Sequence, residues 1–201
     1  MATLTDDLAA QLSGATASRF ASQLGLDQGQ ASAAISAALP LLMGALGRNA
    51  SQPQGAQALF GALQKDHAGA DIGGVLGSVL GGGGGAGGAI LGHIFGGDQA
   101  RAEAGVAQAT GLGESQASQL LKMLAPIVMA YLAKRALSSG STSQPAEGAR
   151  ALGDMLGREQ QEIRQQGGPG GGLLGAVLDQ DGDGQLGLGD LMKLGGLFGR
   201  K

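Results

Sequence analysis

Apolar side chains fall at helical spacing from the start of the chain. Leu8, Ala9 and Leu12 follow the cap-and-acid run Thr5-Asp6-Asp7 and predict a short amphipathic helix ending at Ser13-Gly14. A second helix is expected from Ala17 to Leu24, broken at Gly25. The third starts near Asp27 and carries Ala31, Ile35, Leu39, Leu42, Met43 and Leu46 through to Gly47. It is apolar on most faces, which predicts a central, buried helix.

The pattern then repeats. A shift of 86 positions lays Ala21–Ala50 over Ala107–Ala136 without a gap, with ten of thirty positions identical. Gly25-Leu26 matches Gly111-Leu112, Gln30-Ala31-Ser32 matches Gln116-Ala117-Ser118, and Pro40, Met43 and Leu46 match Pro126, Met129 and Leu132. In both copies the proline falls inside an apolar helical pattern, where it removes a hydrogen bond and predicts a bent core helix. Gln57–Leu63 and Arg150–Leu156 give each half a further short helix. Gly73–Leu80 corresponds to Gly171–Leu178, and each is followed by a loop and a second apolar helix. The loop is Gly81–Gly88 in the first copy and an aspartate-rich run in the second.

The expected fold is therefore all-α, a multihelical bundle built from two repeated halves, each ending in a Gly-rich helix-loop-helix hairpin. Residues 1–100 and 101–201 make the two halves, as two small domains or one compact body. Ser138–Ser143 and Gln165–Gly172 have linker composition, and Glu159, Gln160, Glu162 and Arg164 between them predict a solvated helical face.

Composition narrows the core. Glycine contributes 41 residues, aromatics only 2 %, and tryptophan is absent, so the core must be built from Ala, Leu, Ile, Val and Met with helices in close approach. A net charge of −3 argues against a nucleic-acid surface. The helix-turn-helix pattern at Ser18–Leu46 offers no Lys or Arg on its second helix before Arg48. The absence of cysteine removes disulfides, thiolate metal sites and a thiol nucleophile together. The opening residues lack a secretory pattern, so the expected location is cytoplasmic.

One stretch specifies a definite chemistry. Asp179, Asp181 and Asp183 supply oxygens at positions one, three and five of a twelve-residue loop, Gly184 the sharp turn at six, Gln185 a backbone carbonyl at seven, and Asp190 a carboxylate at twelve. This is the spacing of a calcium loop. Two carboxylates about 5 Å apart repel by roughly 3 kcal/mol at an effective dielectric of 20, so the closed loop is disfavoured until a cation enters. Hard oxygen ligands on a glycine-rich loop favour Ca²⁺ over Mg²⁺, which demands near-octahedral geometry. Gly187 at position nine leaves that place to water, and Asp190 has a shorter arm than the usual glutamate, so modest affinity is expected. The Asp190-Leu191-Met192-Lys193-Leu194 exit resembles the calcium repeat of dockerins more than a calmodulin-type EF-hand. With a single ligand-bearing loop, cohesin binding is not implied.

The Gly-Leu step, Gln-Ala-Ser at a helix start, Leu39-Pro40-Leu41-Leu42 and Ala125-Pro126-Ile127-Val128, and Ile90-Leu91-Gly92-His93-Ile94-Phe95-Gly96 resemble the bacterial family called domain of unknown function 937, which is similar to YidB. The resemblance covers most of Leu4–Leu137 and implies a compact all-α fold without a catalytic residue. The calcium loop is not among that family's defining features.

The same sequence bears on two other functions. Ile72–Gly97 is uncharged and long enough to span a bilayer, with Gly73, Gly77, Gly81 and Gly85 as a small-residue ladder. Its glycines cost more helix propensity than its large apolar residues gain on insertion, so a membrane-associated glycine-zipper protein is the alternative rather than the leading reading. For catalysis, His67 between Lys65-Asp66 and Ala68 is expected to be solvated and His93 to be packed or capping, neither beside a nucleophile signature. The sequence thus predicts a non-enzymatic, calcium-binding structural or protein-interaction module, its ion ordering the C-terminal hairpin. Self-association or a protein partner is the expected binding mode.

Overall fold

The computed structural model describes residues 3–66, 71–81, 85–138 and 145–165. They form nine α-helices and one 3₁₀ turn, with no strand among the described residues. In chain order these are α1 (Leu4–Gln11), α2 (Ala15–Leu24), α3 (Gln28–Ala50), α4 (Pro53–Asp66), α5 (Ile72–Leu80) and α6 (Gly85–Phe95). The 3₁₀ turn Gly96–Asp98 then leads to α7 (Gln99–Thr110), α8 (Glu114–Ser138) and α9 (Pro145–Gln165). The all-α expectation holds.

Local chemistry sets the helix boundaries. Thr3, two residues before the expected cap, closes a capping box with Asp6: its hydroxyl accepts from the Asp6 amide at 3.0 Å and its own amide donates to Asp6 Oδ2 at 3.2 Å. Thr5 thus lies within α1 and is buried. Asp27 and Gln30 make the corresponding box at the start of α3. Helices α2 and α7 both end on a glycine in the left-handed region, Gly25 at φ 65° and Gly111 at φ 70°. Three residues separate each from the long helix that follows, and Gln116 accepts from the Gly113 amide much as Gln30 accepts from that of Asp27. Both long helices run through their proline, Pro40 in α3 and Pro126 in α8.

The core is organised around α3 and α8. From Ala31 to Ala50, α3 buries most of its residues, including Leu39, Leu42, Met43 and Leu46. Helix α8 contributes Leu120, Leu121, Leu124, Ile127, Val128 and Leu132 to the same cluster, which also takes in Leu8, Phe20, Phe60, Leu91 and Leu156. Each long helix is covered by its preceding helix, α2 on α3 and α7 on α8. Each is also crossed by the helix that follows the other, α9 on α3 and α4 on α8.

Glycine makes the close approaches possible. A Cβ on Gly87 of α6 would overlap the Lys122 carbonyl of α8, and one on Gly148 of α9 would overlap the ring of Phe60 on α4. The expected Gly81–Gly88 loop is shorter than its composition suggests, because α6 begins at Gly85. Packing on α8 overrides the low helix propensity of Gly85, Gly87 and Gly88. The uncharged Ile72–Gly97 window divides into helices of 9 and 11 residues. Gly77 of its glycine ladder faces open space. Among the described residues one helix, α3, is long and apolar enough to cross a membrane, and 67 % of that window is buried inside the fold.

Candidate functional site

Among the places where polar groups meet concave or buried surface, a buried carboxylate and an apolar groove bear most directly on function. The first lies where α9 meets the start of α1. Glu159 is 4 % exposed, which corrects the solvated face expected for it. Its carboxylate accepts from the amides of Leu4 and Thr5, each at 2.8 Å, and from the Thr5 hydroxyl. An anion at a helix N-terminus is stabilised by the dipole and by the donors that have no intrahelical partner. Beside it, the Tyr131 hydroxyl of α8 donates to Asp7 Oδ2 at 2.7 Å. Burial, then the Asp7 hydrogen bond and charge, push the Tyr131 hydroxyl well above the ordinary tyrosine value. These contacts bind three helices together, and their chemistry is that of a clasp.

The second is an apolar groove of about 490 Å³ between the end of α3, α4, α6 and Met129 of α8. Leu46, Leu59, Ala62, Ile90, Ile94 and Met129 line it, with Arg48, Asn49, Gln52 and His93 as its polar groups. Asn49 fixes one wall, its Nδ2 donating to the carbonyls of His93 at 3.3 Å and Ile94 at 2.9 Å. His93 itself is exposed in the last turn of α6, so the packed role expected for it is corrected. On α6 the buried positions among the described residues are Gly87, Leu91, Ile94 and Phe95, and His93 falls on the outer face.

The proposed calcium ligands Asp179, Asp181, Asp183, Gln185 and Asp190 lie outside the described residues, as do His67 and the second hairpin. Among the described residues no group of three or more His, Cys, Asp or Glu is placed to hold a metal ion. Sequence reasoning missed Glu159, Tyr131 and Asn49. The signal available for Glu159 was its period: Leu152, Leu156, Glu159 and Ile163 share one face of α9, and the other three are plainly core residues.

Fold and sites define an all-α scaffold with two long, proline-containing central helices. The chain belongs to the DUF937 family of bacterial proteins of unknown function, which it matches over residues 6–135. That span runs from α1 into the last turn of α8; Glu159 and the aspartate loop lie beyond it. Among curated proteins and among solved structures, none matches the chain.

Proposed function

We propose that this protein is a non-enzymatic, calcium-binding structural or protein-interaction module, in which the ion orders the segment around Asp179–Asp190. The observation that carries this reading is the ligand spacing itself: Asp179, Asp181, Asp183, the Gln185 carbonyl and Asp190, with Gly184 at the turn. The donor set is all oxygen and fits a hard cation. Neutralising the clustered carboxylates removes the repulsion that holds the loop open. The helical body is the platform on which such an ordered segment acts, and assembly with a second chain is its proposed consequence.

Calorimetric titration of the native chain with CaCl₂, beside an Asp179→Ala, Asp181→Ala variant, tests the site. Binding heat is expected from the native chain and none from the variant; equal heats from both end the proposal. Chain mass measured with and without Ca²⁺ tests assembly, and a mass that does not change confines the ion's role to one chain.

A further inference from the structure

Helices α4 and α6 both pack on α3 and on α8 but, among the described residues, scarcely on each other, and the groove of about 490 Å³ is the space this leaves. Leu59 of α4 and Ile90 of α6 line it from opposite walls, each half-buried, and the buried Leu46 of α3 and Met129 of α8 close its floor. Its volume falls in the range of roughly 300–1,000 Å³ that small-molecule sites occupy.

The lining is polar at one end only. Arg48, Asn49 and Gln52 belong to the last turn of α3 and the turn into α4, and His93 to the last turn of α6. Asn49 ties these two ends together through its bonds to the His93 and Ile94 carbonyls. Along α4 the lining continues as Leu59 and Ala62, the latter about 14 Å from Pro53 at 1.5 Å per residue, and Ile90 lies one turn back along α6. A molecule that fits has a polar head and a hydrocarbon tail.

The sign of the head follows from the charges around it. The C-termini of α3 and α6 each bring about half a negative charge, and the N-terminus of α4 brings about half a positive one, so the backbone leaves the mouth slightly negative. The guanidinium of Arg48, a full positive charge at any attainable pH, outweighs that remainder. Arg48 already interacts within the fold, but its five N–H donors are more than one partner takes up. Among the described lining residues none is Asp or Glu, in a chain with 16 acidic and 13 basic residues. A cationic head would find no counter-charge there.

We propose that the groove binds one molecule of an unesterified alkyl carboxylate, its head at Arg48, Gln52 and His93 and its chain between Leu59 and Ile90 over Met129. The site is separate from the calcium loop, and its occupancy does not depend on the ion.

The test uses the full chain in chelator, so that no Ca²⁺ precipitates the carboxylate and the result is independent of the ion. Methyl resonances of Leu59, Ile90, Ile94 and Met129 are followed as decanoate is added below its aggregation concentration. Saturable shifts at these methyls are expected, with a Kd about tenfold higher for octanoate, which is two methylenes shorter. Decanol and decyltrimethylammonium should each bind about tenfold more weakly than decanoate, having lost the charge-assisted bonds. Absence of saturable shifts overturns the site, and decanol or decyltrimethylammonium binding as tightly as decanoate overturns the anionic head. Arg48→Gln should weaken decanoate about tenfold and leave decanol unchanged, a difference that loss of structure does not produce; unaltered decanoate binding counts against the proposal. Ala58→Trp, at an exposed position of α4 that lines the groove, leaves Arg48 in place and should abolish the shifts from both ligands. Decanoate that still binds this variant is bound elsewhere, and the assignment to the groove falls.

Discussion

Glu159 on α9 and Thr5 on α1 are joined across 154 positions of sequence by two hydrogen bonds, one from the Thr5 amide and one from its hydroxyl. With Leu4 donating to the other carboxylate oxygen and Asp6 to Thr3, the first three amides of α1 are all satisfied. Removing the carboxylate strands three donors, the buried amide and hydroxyl of Thr5 and the half-buried amide of Leu4. Hydrogen bonds to charged groups contribute about 1.5–3 kcal/mol each and water can reach the half-buried Leu4 amide, so the two bonds from Thr5 set the loss for Glu159→Ala at roughly 3–6 kcal/mol. Glu159→Gln should cost less, keeping one acceptor while its amide group faces a donor. Urea unfolding checks both, and an alanine variant within a few tenths of a kcal/mol of the parent would show that the clasp carries no net stability.

Tyr131 predicts an alkaline limit. Its pKa in the folded chain lies above the ordinary value of 10.0, chiefly through burial and then through Asp7. The neutral hydroxyl is thus favoured by folding. Its contribution is fully present below the unfolded pKa and is lost progressively as pH rises from about 10 toward the folded value, because only the unfolded chain ionises in that window. Tyr131→Phe should cost about 1 kcal/mol at neutral pH, from the lost bond to Asp7. The variant should also show a flatter fall in stability above pH 10 than the parent. Chemical unfolding at a series of alkaline pH values measures the slope, and parallel slopes would sink the assignment.

The glycines should separate into two kinds. At Gly148 a methyl group meets the buried ring of Phe60, and at Gly87 the backbone of Lys122. Alanine at either should destabilise by about 1–3 kcal/mol, the usual range for overpacking. Gly61 and Gly92 are exposed helical positions whose Cβ would meet nothing within 4 Å. There alanine should stabilise by about 0.5–1 kcal/mol, through helix propensity alone. Thermal unfolding of the four single variants decides this, and the opposite sign at either pair would contradict the packing described.

The legible parts of this fold are those whose cause is local. The left-handed Gly25 and Gly111, the Asp27 cap and the apolar run from Ala31 to Leu46 each act within a few residues, and their helices lie where the pattern put them. Glu159 shows the limit. In sequence it sits among Arg158, Gln160, Gln161 and Glu162 and looks solvated; only the arrival of α1 from the far end of the chain makes it an interior residue. The start of α6 at Gly85 was not legible for a related reason, since glycines have little helix preference of their own and those of α6 are held by packing on α8. The Asp179–Asp190 run lies outside the described residues, and its calcium reading rests on its spacing alone. The groove could not be read, because it closes only when α6 and Met129 of α8 come to the α3–α4 turn.

The last prediction joins the ion to the fold. A ligand that binds only the folded form stabilises it by RT ln(1 + [L]/Kd), about 2.7 kcal/mol at a hundredfold excess over Kd. If the ion-bound loop is coupled to the helical body, that free energy must appear in the cooperative unfolding of α3 and α8. Melting monitored by far-ultraviolet circular dichroism should then rise with CaCl₂ in the native chain, change little with MgCl₂, and stay fixed in the Asp179→Ala, Asp181→Ala variant. A chain that releases calorimetric heat with Ca²⁺ yet melts at an unchanged temperature would have a loop that binds independently of the bundle, since an ion held by an uncoupled segment cannot move the equilibrium of helices it does not touch.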